Sequence, residues 1–281
     1  AVGTTLHILA VRNPQQTLET LNGPILDNIE ETLERDEFRK DPGTGDVGLE
    51  HKNESEEDKA VVLEETKKQV LMHDSQGWKS LETSTKALQK LMTGLEQKYE
   101  DSLDERFMKL LQKICSHTNR FVREIGMFVC GTISTISSPN KLAQLEKNLW
   151  PNIASGLADN WSQVRYAASQ AVRTLMLKVK GTDLQESYEE IFIPRMCLNR
   201  YYFAPGVRIY SQESWRLVVE DRGIELVAKY AQQIVDYYAI QSAADNHAVR
   251  EAACHCIAEL GGKVAKTHRE PIVPFVEKLT T

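Results

Sequence analysis

A block of about 42 residues recurs through this chain, and that interval limits the architectures open to it. The cleanest copy is the stretch WSQVRYAASQAVRTLMLKV at residues 161–179. Counted from Val164, small or apolar residues stand at offsets of 3, 4, 7, 8 and 11, namely Ala167, Ala168, Ala171, Val172 and Leu175. Val249 repeats this with Ala252, Ala253, Cys256, Ile257 and Leu260, and Val122 with Ile125, Gly126, Val129, Cys130 and Ile133. Val207 heads a looser copy through Tyr210, Ser211, Ser214, Trp215 and Val218. The four anchors lie 42, 43 and 42 residues apart, and a fainter copy starts 42 residues before Val122, at Ser80. Spacings of three and four mark one face of an α-helix. Each copy follows a second amphipathic stretch, at roughly 59–73, 103–117, 141–158, 184–200 and 223–243, with a sixth beginning near Glu270. A helix pair of this size cannot bury its own apolar stripe, so such pairs stack on one another.

Composition agrees with helices. The 281 residues include only 15 Gly and 9 Pro, too few for a chain full of β-turns. No run of about 18 apolar residues occurs that would span a membrane, and the opening AVGTTLHILAVR lacks the basic flank of a secretory leader. The chain starts without Met and stops inside a helical pattern, so it reads as a piece of a longer one. Five cysteines, an odd number at helical positions, suit reduced thiols inside a cell. The net charge of −6 hides an asymmetry: residues 1–66 hold 6 basic and 16 acidic side chains, and residues 67–281 hold 28 and 24. The segment 36–58, DEFRKDPGTGDVGLEHKNESEED, has almost no large apolar residue and reads as an exposed, disordered insertion. Before it, Leu18, Leu21, Ile25, Ile29 and Leu33 mark an amphipathic helix over 15–35, bent or divided at Gly23-Pro24.

The helix pair, with Asp74, Asp159 and Asp245 in the turns and Val-Arg opening the second helix at Arg123, Arg165, Arg208 and Arg250, resembles the HEAT repeat of the armadillo-like class. The resemblance covers roughly residues 59–281. It implies an all-α, right-handed α-solenoid of about five to six helix pairs, with the second helices on the concave face. Residues 1–35 then form an N-terminal helical segment, a partial repeat; 36–58 is the insertion; 59–281 is the array, cut off at its C-terminal end. In HEAT-like stacks this arginine pairs with the turn aspartate, so the resemblance gives Asp159, Arg165, Asp245 and Arg250 a structural role as a ladder between repeats.

Little points to catalysis. No glycine-rich phosphate loop and no Gly-x-Ser-x-Gly elbow is present. Cys254-His255-Cys256 has no second pair at ligand spacing, and residues two apart on a helix point to different sides, so no metal site and no cofactor are expected. An iron-binding HEAT-like hydroxylase would need His-Glu pairs, and the chain has none. Polar residues on the second helices (Glu124, Gln170, Arg173, Glu213, Arg216, Glu251, Glu259) mix signs, which argues against nucleic acid.

The turns between paired helices hold the candidates for binding a protein partner. They carry Trp78, Lys79, Arg120, Trp161, Phe203 and His247, a mixture of aromatic and basic side chains along one edge. The odd repeat NRYYFAPGVRIYSQESWRLV (199–218) adds Tyr201, Tyr202 and Arg208 as a peptide-accepting pocket. The expected function is therefore a non-catalytic protein-interaction scaffold. A narrower resemblance concerns tubulin-binding TOG domains, HEAT arrays whose first turn carries Trp followed by Lys, as Trp78-Lys79 does here. Arg120 fits their basic later turns; Trp161, Phe203, His247 and the insertion depart from them.

Overall fold

A computed structural model describes residues 2–40, 77–266 and 269 of the chain. Among these residues every regular element is helical and no strand occurs. The N-terminal helices are α1 (Val2–Arg12) and α2 (Pro14–Lys40). Helix α3 occupies 77–95 and runs into a 3-10 helix, Glu96–Ser102. There follow α4 (Glu105–Cys115), α5 (Arg120–Ile136), α6 (Pro139–Leu157), α7 (Ser162–Val179), α8 (Gln185–Asn199) and α9 (Pro205–Val219). The last are α10 (Gly223–Lys229), α11 (Ala231–Ser242), α12 (His247–Glu259) and a π-helical turn, Leu260–Val264. No described helix is long and apolar enough to cross a membrane.

Helices α5, α7, α9 and α12 each begin two residues before a sequence anchor, so their starts keep the 42, 43 and 42 intervals. The anchors Val122, Val164, Val207 and Val249 are buried, as are Ala167, Ala168, Ala252 and Ala253. Helix α4 packs on α6, α6 on α8 and α8 on α11, while α5 packs on α7 and α7 on α9. Small residues set the approach of α5 to α7: a Cβ built on Gly131 would stand 3.5 Å from the Ala171 backbone. The stacking changes at the end. Helix α12 packs chiefly on α11 and α8 rather than on α9.

Local chemistry sets the helix ends. Asp104 and Ser138 cap α4 and α6, accepting from the backbone N–H of Phe107 and Lys141. Asn119 and Asn246 do the same for α5 and α12. Each cap satisfies an N–H that has no partner inside its helix.

Three sequence expectations need correction. Helix α2 is not divided at Gly23-Pro24 but runs unbroken to Lys40, so residues 36–40, expected in the loop, are helical. Pro24 removes one hydrogen bond, yet the buried stripe Leu26, Ile29 and Leu33 continues beyond it. The stretch 223–243 is two helices rather than one. Tyr230 breaks it, and the break carries its hydroxyl to the Glu189 carboxylate of α8 at 3.2 Å. Glu189 is buried, and Gln185 (2.7 Å) and Arg222 (3.3 Å) also donate to it. A carboxylate out of water needs several donors. The helix expected over 59–73, Asp74, and most of the insertion lie outside the described residues.

The N-terminal helices join the same core. Asn28 accepts from the Ser84 hydroxyl at 2.8 Å, and Arg106 reaches Asp27 at 2.7 Å. Helix α1 closes on α3 at Gly94, where a built Cβ would stand 2.7 Å from Ala10 Cβ and 2.8 Å from the His7 carbonyl. Backbone cannot yield as a side-chain tip can. Gly94→Ala is expected to cost about 1–3 kcal/mol despite Ala's better helix propensity. Hydrogen exchange should show the loss concentrated in α1; uniform protection would count against this contact.

Near the C-terminal end, Arg200 pairs with Glu259 at 2.7 Å, and Lys263 reaches the same carboxylate at 3.3 Å. Burial acts to raise the Glu259 carboxyl, but Arg200, Lys263 and Tyr201 outweigh it and hold it below the ordinary value. A carboxyl depressed by folding stabilises above its unfolded-state pKa, and that contribution fades as pH falls through the folded value. Glu259→Gln is therefore expected to melt lower than the parent chain at neutral pH, with the gap closing below about pH 4. Melts followed by circular dichroism across that range check it.

Candidate interaction surface

The starts of α3, α5 and α7 come together along one edge. Trp78, at the start of α3, stacks on Phe121 of α5 with ring centroids 5.1 Å apart and planes 21° apart. The Lys79 ammonium lies 5.8 Å from the Trp78 ring. The Arg120 guanidinium bridges the next gap, 4.8 Å from the Phe121 ring and 4.0 Å from the Trp161 ring. Lys79, Trp78, Phe121, Arg120 and Trp161 therefore form one row across three helix starts, with the stacked Trp78 and Phe121 rings between the two cations. Trp161 is 45% exposed and Phe121 37%. Each cation–ring contact is worth about 0.5–1 kcal/mol at an exposed site, enough to hold a side chain in place.

Arg123 lies one helical turn from the row and fixes its backbone. Its Nε and Nη2 donate to Asp159 Oδ2 and Oδ1 at 2.7 and 3.1 Å. Its Nη1 donates to the His117 and Thr118 carbonyls, both at 2.8 Å. Asp159 in turn accepts from the Trp161 N–H at 2.8 Å. One arginine thus ties the turn before α5 to the turn before α7, and a bidentate guanidinium–carboxylate pair fixes orientation as well as distance.

This pairing differs from the expected ladder. The Asp159 carboxylate goes to Arg123 of the preceding pair. Arg165 reaches Asp159 through the backbone carbonyl, Nε donating at 3.0 Å, and sends Nη1 to Asn199 Oδ1 at 2.6 Å. Arg250 likewise donates to the Ala244 and Asp245 carbonyls at 2.6 and 2.8 Å, not to the Asp245 carboxylate. Arg123, Arg165 and Arg250 each sit eight residues after the end of the preceding helix, and their forks meet turn carbonyls five or six residues back. Arg208, alone of the four, makes no such bond among the described residues and stays half-buried at the start of α9.

The remaining candidates separate. Tyr202 is fully buried, with the Arg165 guanidinium 4.2 Å from its ring, so it belongs to the core and not to a peptide pocket. Tyr201 stacks on His255 at 5.7 Å and is half-buried. Phe203 projects outward, 55% exposed, above Tyr202. His247 is exposed, 3.9 Å from Glu251. Asn246 Nδ2 donates to Asn160 Oδ1 at 3.4 Å, which draws the turn holding His247 beside the turn holding Trp161.

Phe121 was absent from the sequence candidates, as was the role of Arg123. Phe121 stands one position before its anchor, off the buried stripe, and a large apolar residue there was the available signal. The partner of Arg123 lies in the next repeat, which no spacing within a repeat reveals.

A second surface is the groove across α3, α5 and α7, about 490 Å³, lined by Gln89, Phe128, Thr132, Gln170, Thr174 and Lys178 among others. Its polar groups are amides and hydroxyls together with the charged Glu96 and Lys178, and Gln89 Nε2 donates to Thr132 Oγ1 at 3.3 Å. Among the described residues no group of three or more His, Cys, Asp or Glu is placed to hold a metal ion. All five cysteines are free thiols. Protein-family models give no match to the chain, and a search of curated proteins likewise finds none.

Proposed function

We propose that the chain is a HEAT-type, right-handed α-solenoid that works as a non-catalytic protein-interaction scaffold inside the cell. The observation that carries this reading is the row Lys79, Trp78, Phe121, Arg120 and Trp161. Its rings are held by neighbouring cations before any partner arrives, which lowers the ordering cost of binding. Aromatic and arginine side chains are also those that dominate binding energy at interfaces. The two cations suit a partner that presents carboxylates beside an apolar patch. Capture from lysate with the full chain, repeated with Trp161→Ala and Arg120→Ala, tests it. A partner bound through the row should be lost at least tenfold with either variant, at unchanged melting temperature. Capture unaffected by both would overturn the reading.

Tubulin is the second reading, favoured by one observation: Trp78-Lys79 and Arg120 fall in a single continuous row. Co-elution with soluble tubulin, removed by Trp78→Ala, is the expected result. Absence of co-elution at micromolar concentrations sinks it.

A further inference from the structure

Helices α9 and α12 meet at their first turns, where Val207 packs with Ala248 and Val249. Toward their C-terminal ends they part, because α12 follows α8 and α11 instead of α9. A pocket of about 160 Å³ opens in the wedge. Its floor is Cys197 of α8, Tyr238 of α11 and Cys256 of α12, all buried. One wall is Trp215, Gly223, Ile224 and Val227; the other is Leu260, Lys263 and Val264.

Both walls rest on irregular backbone. Glu220, at φ 55° and ψ −127°, turns the chain from α9 into α10. The opposite wall is the π-helical turn. A non-glycine residue at positive φ carries a conformational cost, and π turns recur at functional sites. Direct contacts bridge the α5–α7 and α7–α9 junctions. Gly131 sits against Ala171, and between α7 and α9 Arg173 donates to Ser214 Oγ at 2.7 Å.

The lining defines what fits. A cavity of about 150 Å³ with apolar walls is known to accept a single benzene ring. Burial raises the Cys197 and Cys256 thiols, so both stay protonated and offer soft, polarisable surface instead of a nucleophile. At the rim the Arg200 guanidinium lies 4.3 Å from the Trp215 ring. Among the described residues Arg200 Nε is buried without a hydrogen-bond partner, and Arg200 and Lys263 share the carboxylate of Glu259. Among the described residues the rim thus carries two cations to one anion and has an unused donor. Ile224, 46% exposed at the mouth, extends the apolar contact.

We infer that the wedge between α9 and α12 is a binding site for a small single-ring aromatic carboxylate, its ring over Cys197 and Cys256 and its carboxylate toward Arg200 and Lys263. The inference stands apart from the row at the turns, which lies on other residues.

Isothermal titration with phenylacetate, phenylacetamide and toluene tests it on the full chain. Phenylacetate should bind with a Kd of about 0.1–1 mM, and phenylacetamide several-fold more weakly. Gly223→Leu should weaken phenylacetate at least tenfold by filling the mouth. A Cβ there would meet Trp215 at 3.5 Å, an ordinary contact, so the fold accepts a side chain. Lys263→Gln, at an exposed position, should weaken phenylacetate about threefold to fivefold and leave toluene unchanged. No heat from phenylacetate up to about 10 mM would overturn the proposal, given the affinity ceiling for ten heavy atoms. Binding that neither variant moves would overturn it too. Toluene binding without phenylacetate binding would overturn the carboxylate assignment.

Discussion

Arg165→Ala is expected to cost on the order of 3–5 kcal/mol of folding stability, and Arg165→Met only about 1–2 kcal/mol. Arg165 is the largest fully buried side chain among those described. No carboxylate among the described residues forms a salt bridge with it. Its hydrogen bonds go to the Asp159 carbonyl and the Asn199 side chain, and Nη2 has no partner among the described residues. Burial pushes its pKa down, partly offset by Tyr202, Tyr237 and Asp159. Truncation to Ala removes the hydrogen bonds and also opens a cavity between α7, α8 and the turn at Tyr202. Met keeps most of the volume and removes a charge that is costly to bury. What remains is the unsatisfied Asn199 oxygen and Asp159 carbonyl, about 1–3 kcal/mol before that relief. Urea unfolding followed by far-ultraviolet circular dichroism measures both variants. Equal losses would show that hydrogen bonding, not volume, dominates the site.

Gly156→Ala should destabilise by about 2–3 kcal/mol, against the roughly 1 kcal/mol that Ala gains over Gly in a helix. Gly156 lies where α6 meets α5 and α7. A Cβ there would overlap Met127 Sδ and stand 2.9 Å from Ala168 Cβ. Met127 is fully buried. The coupling is measurable. Met127→Ala alone should cost about 2–5 kcal/mol, and the double variant at least 1 kcal/mol less than the two losses added, because each change makes room for the other. Strict additivity would show that the close approach at Gly156 does not limit the packing.

The row of rings and cations was partly legible in advance. Trp78, Arg120 and Trp161 stand two or three residues before their anchors, with Lys79 next to Trp78, and repeat spacing alone places such residues on one edge. Tyr202, five residues before its anchor Val207, points inward instead. The Arg165 guanidinium covers its ring, and the Asp159 carboxylate that might have paired with Arg165 is held by Arg123. That exchange of partners between successive repeats depends on which side chains meet across an interface. So does the wedge at Arg200 and Trp215, which follows from α12 leaving α9 for α8.

The sequence alone therefore determined the periodic elements: helices starting 42, 43 and 42 residues apart, the buried anchors, and the small residues between them. Helical periodicity and burial are properties of the nearby chain, and they are written at spacings of three and four. Tertiary structure alone decided which arginine holds Asp159, that Tyr202 is interior, that Tyr230 splits a helix, and that α9 and α12 part to leave a pocket. Each of these depends on competition among polar and apolar groups distant in sequence. The winner is set by the geometry of packed helices and not by the order of residues along one of them.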